Sequence, residues 1–93
     1  MAEVKDNLEQ SQYEIFVDGK RVGLMTYQIS GDTVVTPHTE IDPAYGDQGL
    51  GQTLVKHALD SIRDTGLFVQ PTCPFVRAFI DKNAEYQDLV KRS

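Results

Sequence analysis

Two stretches of this chain hold residues whose types and spacing could do chemistry. The first is Thr72-Cys73-Pro74-Phe75. Proline suits the first position of a helix, where a missing N–H costs nothing, so Thr72 or Cys73 is expected at the cap. A cysteine there meets the positive end of the helix dipole, which favours thiolate over thiol and makes the sulfur a nucleophile. The competing reading is a small core residue. Cys73 is the only cysteine, which excludes an internal disulfide, and with His38 and His57 scattered elsewhere no zinc-binding spacing arises. No metal is expected.

The second stretch is Gly46-Asp47-Gln48-Gly49-Leu50-Gly51-Gln52. Good helix formers follow at once. A glycine-rich turn that opens a helix presents unpaired backbone N–H groups and lets an anion approach with no Cβ in the way. Phosphate is the anion such a cradle suits. No Lys-Ser or Lys-Thr follows the last glycine, so this is not a nucleoside-triphosphate loop, and the spacing is not the dinucleotide fingerprint. A loop that merely needs tight turns is the alternative.

Hydrophobic period predicts the elements that must position these residues. Tyr13, Ile15 and Val17 alternate with Glu14, Phe16 and Asp18 as in a strand, and Asp18-Gly19 supplies a hairpin turn. A second strand returns over residues 21–29, too apolar for an exposed edge. After the turn Ser30-Gly31-Asp32 comes a third strand, residues 33–41, where Pro37 cannot donate to a ladder; a bulge or splay is expected near Pro37 and His38. Leu50, Leu54, Val55, Ala58, Leu59 and Ile62 recur on one helical face, and Gly66 stops that helix. Residues 67–71 fit one more buried strand. A second helix follows Cys73, with Phe75, Val76, Phe79 and Ile80 inward and Asn83 at its end, then a last helical turn over 84–90. Residues 1–11 show no sustained period and are expected to be flexible. The order implies one small α/β domain over 1–93, with a mixed, mostly antiparallel sheet flanked by helices.

Ninety-three residues make one domain, able to bury about 60–70% of the surface that the unfolded chain exposes. Apolar residues at 40% and charged residues at 25% fit a soluble globular protein. No apolar run reaches the roughly 20 residues that span a bilayer, and the start lacks a secretory apolar core, so a cytoplasmic protein with no membrane partner is expected. The net charge of −5 argues against nucleic acid. Residues 1–46 hold eight acidic and three basic side chains, whereas residues 47–93 hold six of each. An acidic first half fits either a solvated surface or attraction to a cationic partner. The oligomeric state is left open, a monomer being compatible with everything above.

The glycines, preceded by His38-Thr39-Glu40-Ile41-Asp42, resemble the acetyl-CoA signature of the GNAT superfamily of N-acetyltransferases. That signature is glutamine or arginine, two variable residues, glycine, one residue, then glycine or alanine. Gly49 and Gly51 match its last two fixed positions, and Gly46 stands where glutamine or arginine is usual. With Pro71-Thr72-Cys73-Pro74-Phe75 one strand later, the chain from about Tyr13 to Val90 resembles a minimal GNAT-like branch of similar length, characterised by this cysteine near the acetyl group. Asn83 replaces the histidine usual in that branch before Ala84-Glu85-Tyr86.

The resemblance implies an acetyl-CoA-dependent N-acetyltransferase acting on an amine, a small amine or a protein lysine, possible routes being direct transfer or an acetyl-Cys73 intermediate. Coenzyme A would lie against Thr39, Glu40, Ile41, Gly46, Asp47, Gln48, Gly49, Leu50, Gly51, Gln52 and Cys73. Its pantetheine would pair with the splayed strand through Thr39, Glu40 and Ile41. Glu40 or His38 would serve as general base, and Tyr86 would protonate a leaving thiolate or else simply close the core. Lys56, Arg77 and Lys82 would meet the nucleotide phosphates or remain surface charges. A non-catalytic acyl-CoA-binding module is the competing class; a redox-sensing thiol domain would leave the glycines unexplained.

Overall fold

The structure, a computed structural model, describes residues 2–46 and 49–90. Its first element corrects the expected flexible start. Strand β1 (Ala2–Asn7) pairs antiparallel along its length with β2 (Gln12–Val17). Ala2 and Val4 pack against the core, and Asp6 accepts the Tyr27 hydroxyl at 2.8 Å. Two small apolar positions are too few to make a readable period, yet a neighbouring strand suffices to order them.

Asp18 (φ 51°) and Gly19 (φ 81°) both hold left-handed backbone, the conformation of a two-residue turn whose twist matches its strands. They lead into β3 (Lys20–Ser30), and Gly31 (φ 62°) with Asp32 leads into β4 (Thr33–Ile41). Pairing then breaks where proline requires it. Thr26 stands opposite His38 and Gln28 opposite Val35, so Thr36 and Pro37 together face Tyr27 alone. This is the expected bulge. Strand β5 (Phe68–Gln70) runs parallel to β4, but only along Thr33 to Val35. The sheet order is therefore β1-β2-β3-β4-β5, with four antiparallel strands rather than the three expected before the first helix. Past the bulge, β4 stays paired with β3 through Ile41 but has no strand on its other side among the described residues.

Helix α1 (Leu50–Thr65) buries Leu50, Leu54, Val55, Ala58, Leu59 and Ile62 against Tyr13, Ile15, Met25, Tyr27 and Val34 of the sheet. Truncating one of its fully buried leucines to alanine would cost about 2–5 kcal/mol. Gly66 (φ 77°) ends the helix in left-handed backbone, which favours glycine. Helix α2 (Pro74–Lys82) begins at Cys73 as its cap and buries Val76 and Ile80. Phe75, expected inward, is instead 43% exposed, because its ring lies over Gly51 of α1 rather than in the core. A 3-10 helix, Ala84–Leu89, closes the chain; Arg63 of α1 grips it through both Asp88 carboxylate oxygens at 3.1 Å and through the Glu85 carbonyl.

Candidate active site

The splay of β4 away from β5 opens a cleft of about 380 Å³, lined by Thr39, Glu40, Ile41, Gly46, Gly49, Gly51, Gln52 and Phe75. One wall is main chain. Asp42 N–H donates to Val22 of β3 at 2.7 Å, so in an antiparallel strand the alternate residues Ile41 and Thr39 turn their backbone groups the other way, into the cleft. The opposite wall is the start of α1. Gly49 (φ 72°) caps it without any side-chain hydrogen bond, which leaves the first-turn N–H groups of Leu50, Gly51 and Gln52 uncapped by a side chain. A second hollow of about 470 Å³, lined by Gln52, Phe75, Ala78, Phe79, Lys82 and Asn83, continues from the cleft through Gln52 and Phe75.

Cys73 does not itself line the cleft; it is buried beside the lining residues Thr39 and Phe75, with its N–H donating to the Thr36 carbonyl at 2.9 Å. That bond fastens α2 to the bulge. Burial pushes the thiol up, but the Val76 N–H, the Thr39 hydroxyl, the Phe75 N–H and the Thr39 N–H all face the sulfur and together hold it below its ordinary value. Uncharged donors at a helix start are an established route to a reactive cysteine. The Thr39 hydroxyl is buried and otherwise finds no hydrogen-bond partner, and neither does that of fully buried Thr36.

His38 and Glu40 project to the other face of β4, as alternation along a strand demands. Both are more than half exposed and stand 3.5 Å apart, Nε2 to Oε2. Tyr86 is placed differently. Its hydroxyl donates to Asp60 at 2.7 Å and accepts from Lys56 at 3.2 Å, and the residue does not line the cleft. Lys56 is thereby engaged with Asp60 and Tyr86, and Arg77 reaches the Pro71 carbonyl at 3.4 Å. Of the three cations considered for phosphate, Lys82 alone borders the hollow beside the cleft.

Within the expected cofactor set, Leu50 turns its side chain into the core, and the Gly46 N–H is taken by the Pro43 carbonyl at 3.3 Å. Asp47 and Gln48 lie outside the described residues. Gly51 has a further reason to be glycine: a Cβ there would come within 2.7 Å of the Phe75 ring. Phe75 is the lining residue that sequence reasoning assigned to the core. A helical period cannot separate an aromatic facing the core from one facing a cleft beside it. No group of metal-ligating side chains occurs among the described residues, and no described helix is long and apolar enough to cross a membrane.

A family model described as GCN5-related N-acetyl-transferase matches residues 12–89. No curated protein matches the chain in sequence. Among solved structures, a GCN5-like protein of Staphylococcus aureus shares 22% identity at a TM-score of 0.75, over 98% of this chain and 89% of that one. The ribosomal-protein-S18-alanine N-acetyltransferase of Escherichia coli shares 21% at 0.67, over 76% of this chain and 49% of its own. The N-acetylglutamate synthase of Neisseria gonorrhoeae, solved with coenzyme A and N-acetyl-glutamate, shares 16% at 0.63, over 84% of this chain and 22% of its own. At such identities these structures speak for the fold, while the family rests on the match through nearly the whole chain. With its sheet, its glycine turn and its residues 12–89 accounted for together, this chain belongs to the GCN5-related N-acetyl-transferase family.

Proposed function

We propose that this chain moves an acetyl group from acetyl-CoA to a cationic amine in the cleft beside β4. The observation that carries the reading is that one cleft brings together the backbone edge at Thr39 and Ile41 and the uncapped start of α1, with the donors around Cys73 adjoining it through Thr39 and Phe75. Thr39 and Ile41 would pair with the amides of the pantetheine arm, as an added strand does. The N–H groups of Leu50, Gly51 and Gln52 would take the pyrophosphate, with Lys82 near the rest of the nucleotide. The acetyl group would then lie by Cys73. When bound, acetyl-CoA supplies an activated thioester.

His38 or Glu40, exposed across the strand, would accept the proton of an incoming amine. Glu40 and Asp42 also line a hollow of about 350 Å³ whose one cation, Arg21, is tied to Glu14 at 3.0 Å, so a positive acceptor is favoured there. Two routes fit these positions. In direct transfer the amine attacks the bound thioester. In the covalent route Cys73 attacks the carbonyl carbon and coenzyme A leaves as a thiolate that takes up a proton. The neutral amine would then attack the acetyl carbonyl and displace the Cys73 sulfur as thiolate, its proton passing to His38 or Glu40.

Intact-protein mass spectrometry with acetyl-CoA and a panel of polyamines and lysine peptides tests this. The expected result is acetylated amine; the covalent route adds one hydroxylamine-labile acetyl on the protein, absent in Cys73→Ala. Turnover that survives Cys73→Ala assigns direct transfer. Amide-shift titration with acetyl-CoA should move Thr39, Ile41 and Gly51. Binding with neither adduct nor product across the panel would favour a carrier or sensor of acyl-CoA, and no shift in these segments would remove the cofactor reading altogether.

A further inference from the structure

Two hydroxyls among the described residues are buried without a hydrogen-bond partner, Thr36 Oγ1 and Thr39 Oγ1, and both sit on the stretch of β4 that borders Cys73. A buried hydroxyl without a partner is unfavourable, and native structures rarely keep one without a reason. For Thr39 the reason is visible in what it faces. The sulfur of Cys73 is a weak acceptor as a thiol and a strong one as a thiolate. The Thr39 hydroxyl, which makes no hydrogen bond in the structure, thus has a strong acceptor beside it once Cys73 ionises. We infer that Thr39 is a positioning residue for Cys73, its otherwise unpartnered hydroxyl serving as donor to the sulfur when the sulfur carries charge.

The geometry makes the role specific to Thr39. The backbone N–H of the same residue also faces the sulfur, so the strand aims two donors at it from one side while Phe75 and Val76 of α2 aim two from the other. Among the described residues no charged side chain shares the task. His38 and Glu40 of β4 pair with each other across the strand, Arg77 of α2 reaches Pro71, and Lys56 and Asp60 of α1 are joined to each other and to Tyr86. Thr36 meets Cys73 through its carbonyl, which accepts the Cys73 N–H, and its hydroxyl is not among the groups that face the sulfur. The inference requires no acetyl transfer and stands or falls apart from it.

The test is the rate of Cys73 alkylation by iodoacetamide against pH, in the full chain, for wild type, Thr39→Val, Thr39→Ser and Thr36→Val, with folding checked by far-ultraviolet circular dichroism. Valine keeps the shape of threonine and removes the donor. The alkylation midpoint of Thr39→Val is expected to rise by about one pH unit, making alkylation roughly tenfold slower on the acid side. Thr39→Ser should restore the wild-type profile, and Thr36→Val should leave it in place. A Thr39→Val profile that coincides with wild type overturns the inference. An equal rise in Thr39→Ser would assign the effect to packing of the methyl group, and an equal rise in Thr36→Val would assign it to the bulge as a whole; either also overturns it. If Thr39→Val fails to fold, Thr39→Ala, compared with Thr39→Ser, carries the same decision.

Discussion

A hydroxyl that already donates to a carboxylate has little to offer a leaving group. Tyr86 is in that position: burial and the Asp60 carboxylate both push its phenol up, and the two rings of Tyr86 and Phe79 stand 5.8 Å apart. Its work is to fasten the C-terminal turn to α1. Tyr86→Phe should cost about 0.5–1.5 kcal/mol in denaturant unfolding and leave acetyl transfer at the wild-type rate. A loss of turnover without a loss of stability would return Tyr86 to the chemistry. The same variant should change the acid response. Burial pushes the Asp60 carboxyl up, but the Tyr86 hydroxyl and Lys56 hold it below its ordinary 3.8, so the stability it contributes is present above that value and drains as pH falls through the folded one. Without the hydroxyl the folded value moves back toward 3.8, and the acid-side loss becomes shallower. At this scale the sequence was readable wherever one residue dictates its own geometry. Pro74 announced the cap at Cys73, and Pro37 announced the bulge. The donors that Thr39 aims at the sulfur were unreadable, because they depend on a residue 34 positions away.

Between elements, the start of α1 and the start of α2 touch through one aromatic ring and one missing side chain. Glycine near the beginning of a helix is usually replaceable by alanine with a gain of up to about 1 kcal/mol. Here the new Cβ would meet the tip of Phe75 at 2.7 Å, so Gly51→Ala should destabilise the native chain and become favourable once Phe75→Ala has cleared the space. Denaturant melts of both singles and the double should give a coupling of about 0.5–3 kcal/mol. Additive effects would mean that the ring swings aside freely. The contact also bears on sequence reading. Gly51 was legible as a glycine that something must approach closely, and its neighbour in the fold is a ring from another helix. β1 escaped the reading for a different reason: Ala2 and Val4 alternate with Glu3 and Lys5, but Asp6 follows them on the inner side, where it accepts the Tyr27 hydroxyl, and two apolar positions are too few to make a period.

As a whole, the molecule measures 39 × 30 × 20 Å, and the thinnest dimension is two layers, one of sheet and one of helix. The order of the strands sets how those layers come together. β1, β2 and β3 each pair with the next strand across a short turn, so three short loops close most of the sheet, and loop closure of that length is fast. β5 is the exception. It reaches β4 only after the whole of α1, through a parallel ladder as short as Thr33 to Val35 and the bond from Phe68 N–H to the Asp32 carbonyl. Native-state hydrogen exchange should then show the amides of Phe68 and Cys73 opening at lower free energy than those of Ile15 and Met25, and equal protection throughout would refute the order. The bulge that frees the edge of β4 thus bears on time as well as on space: the meander is expected to form early, and the pocket around Cys73 to be assembled after it and to open before it.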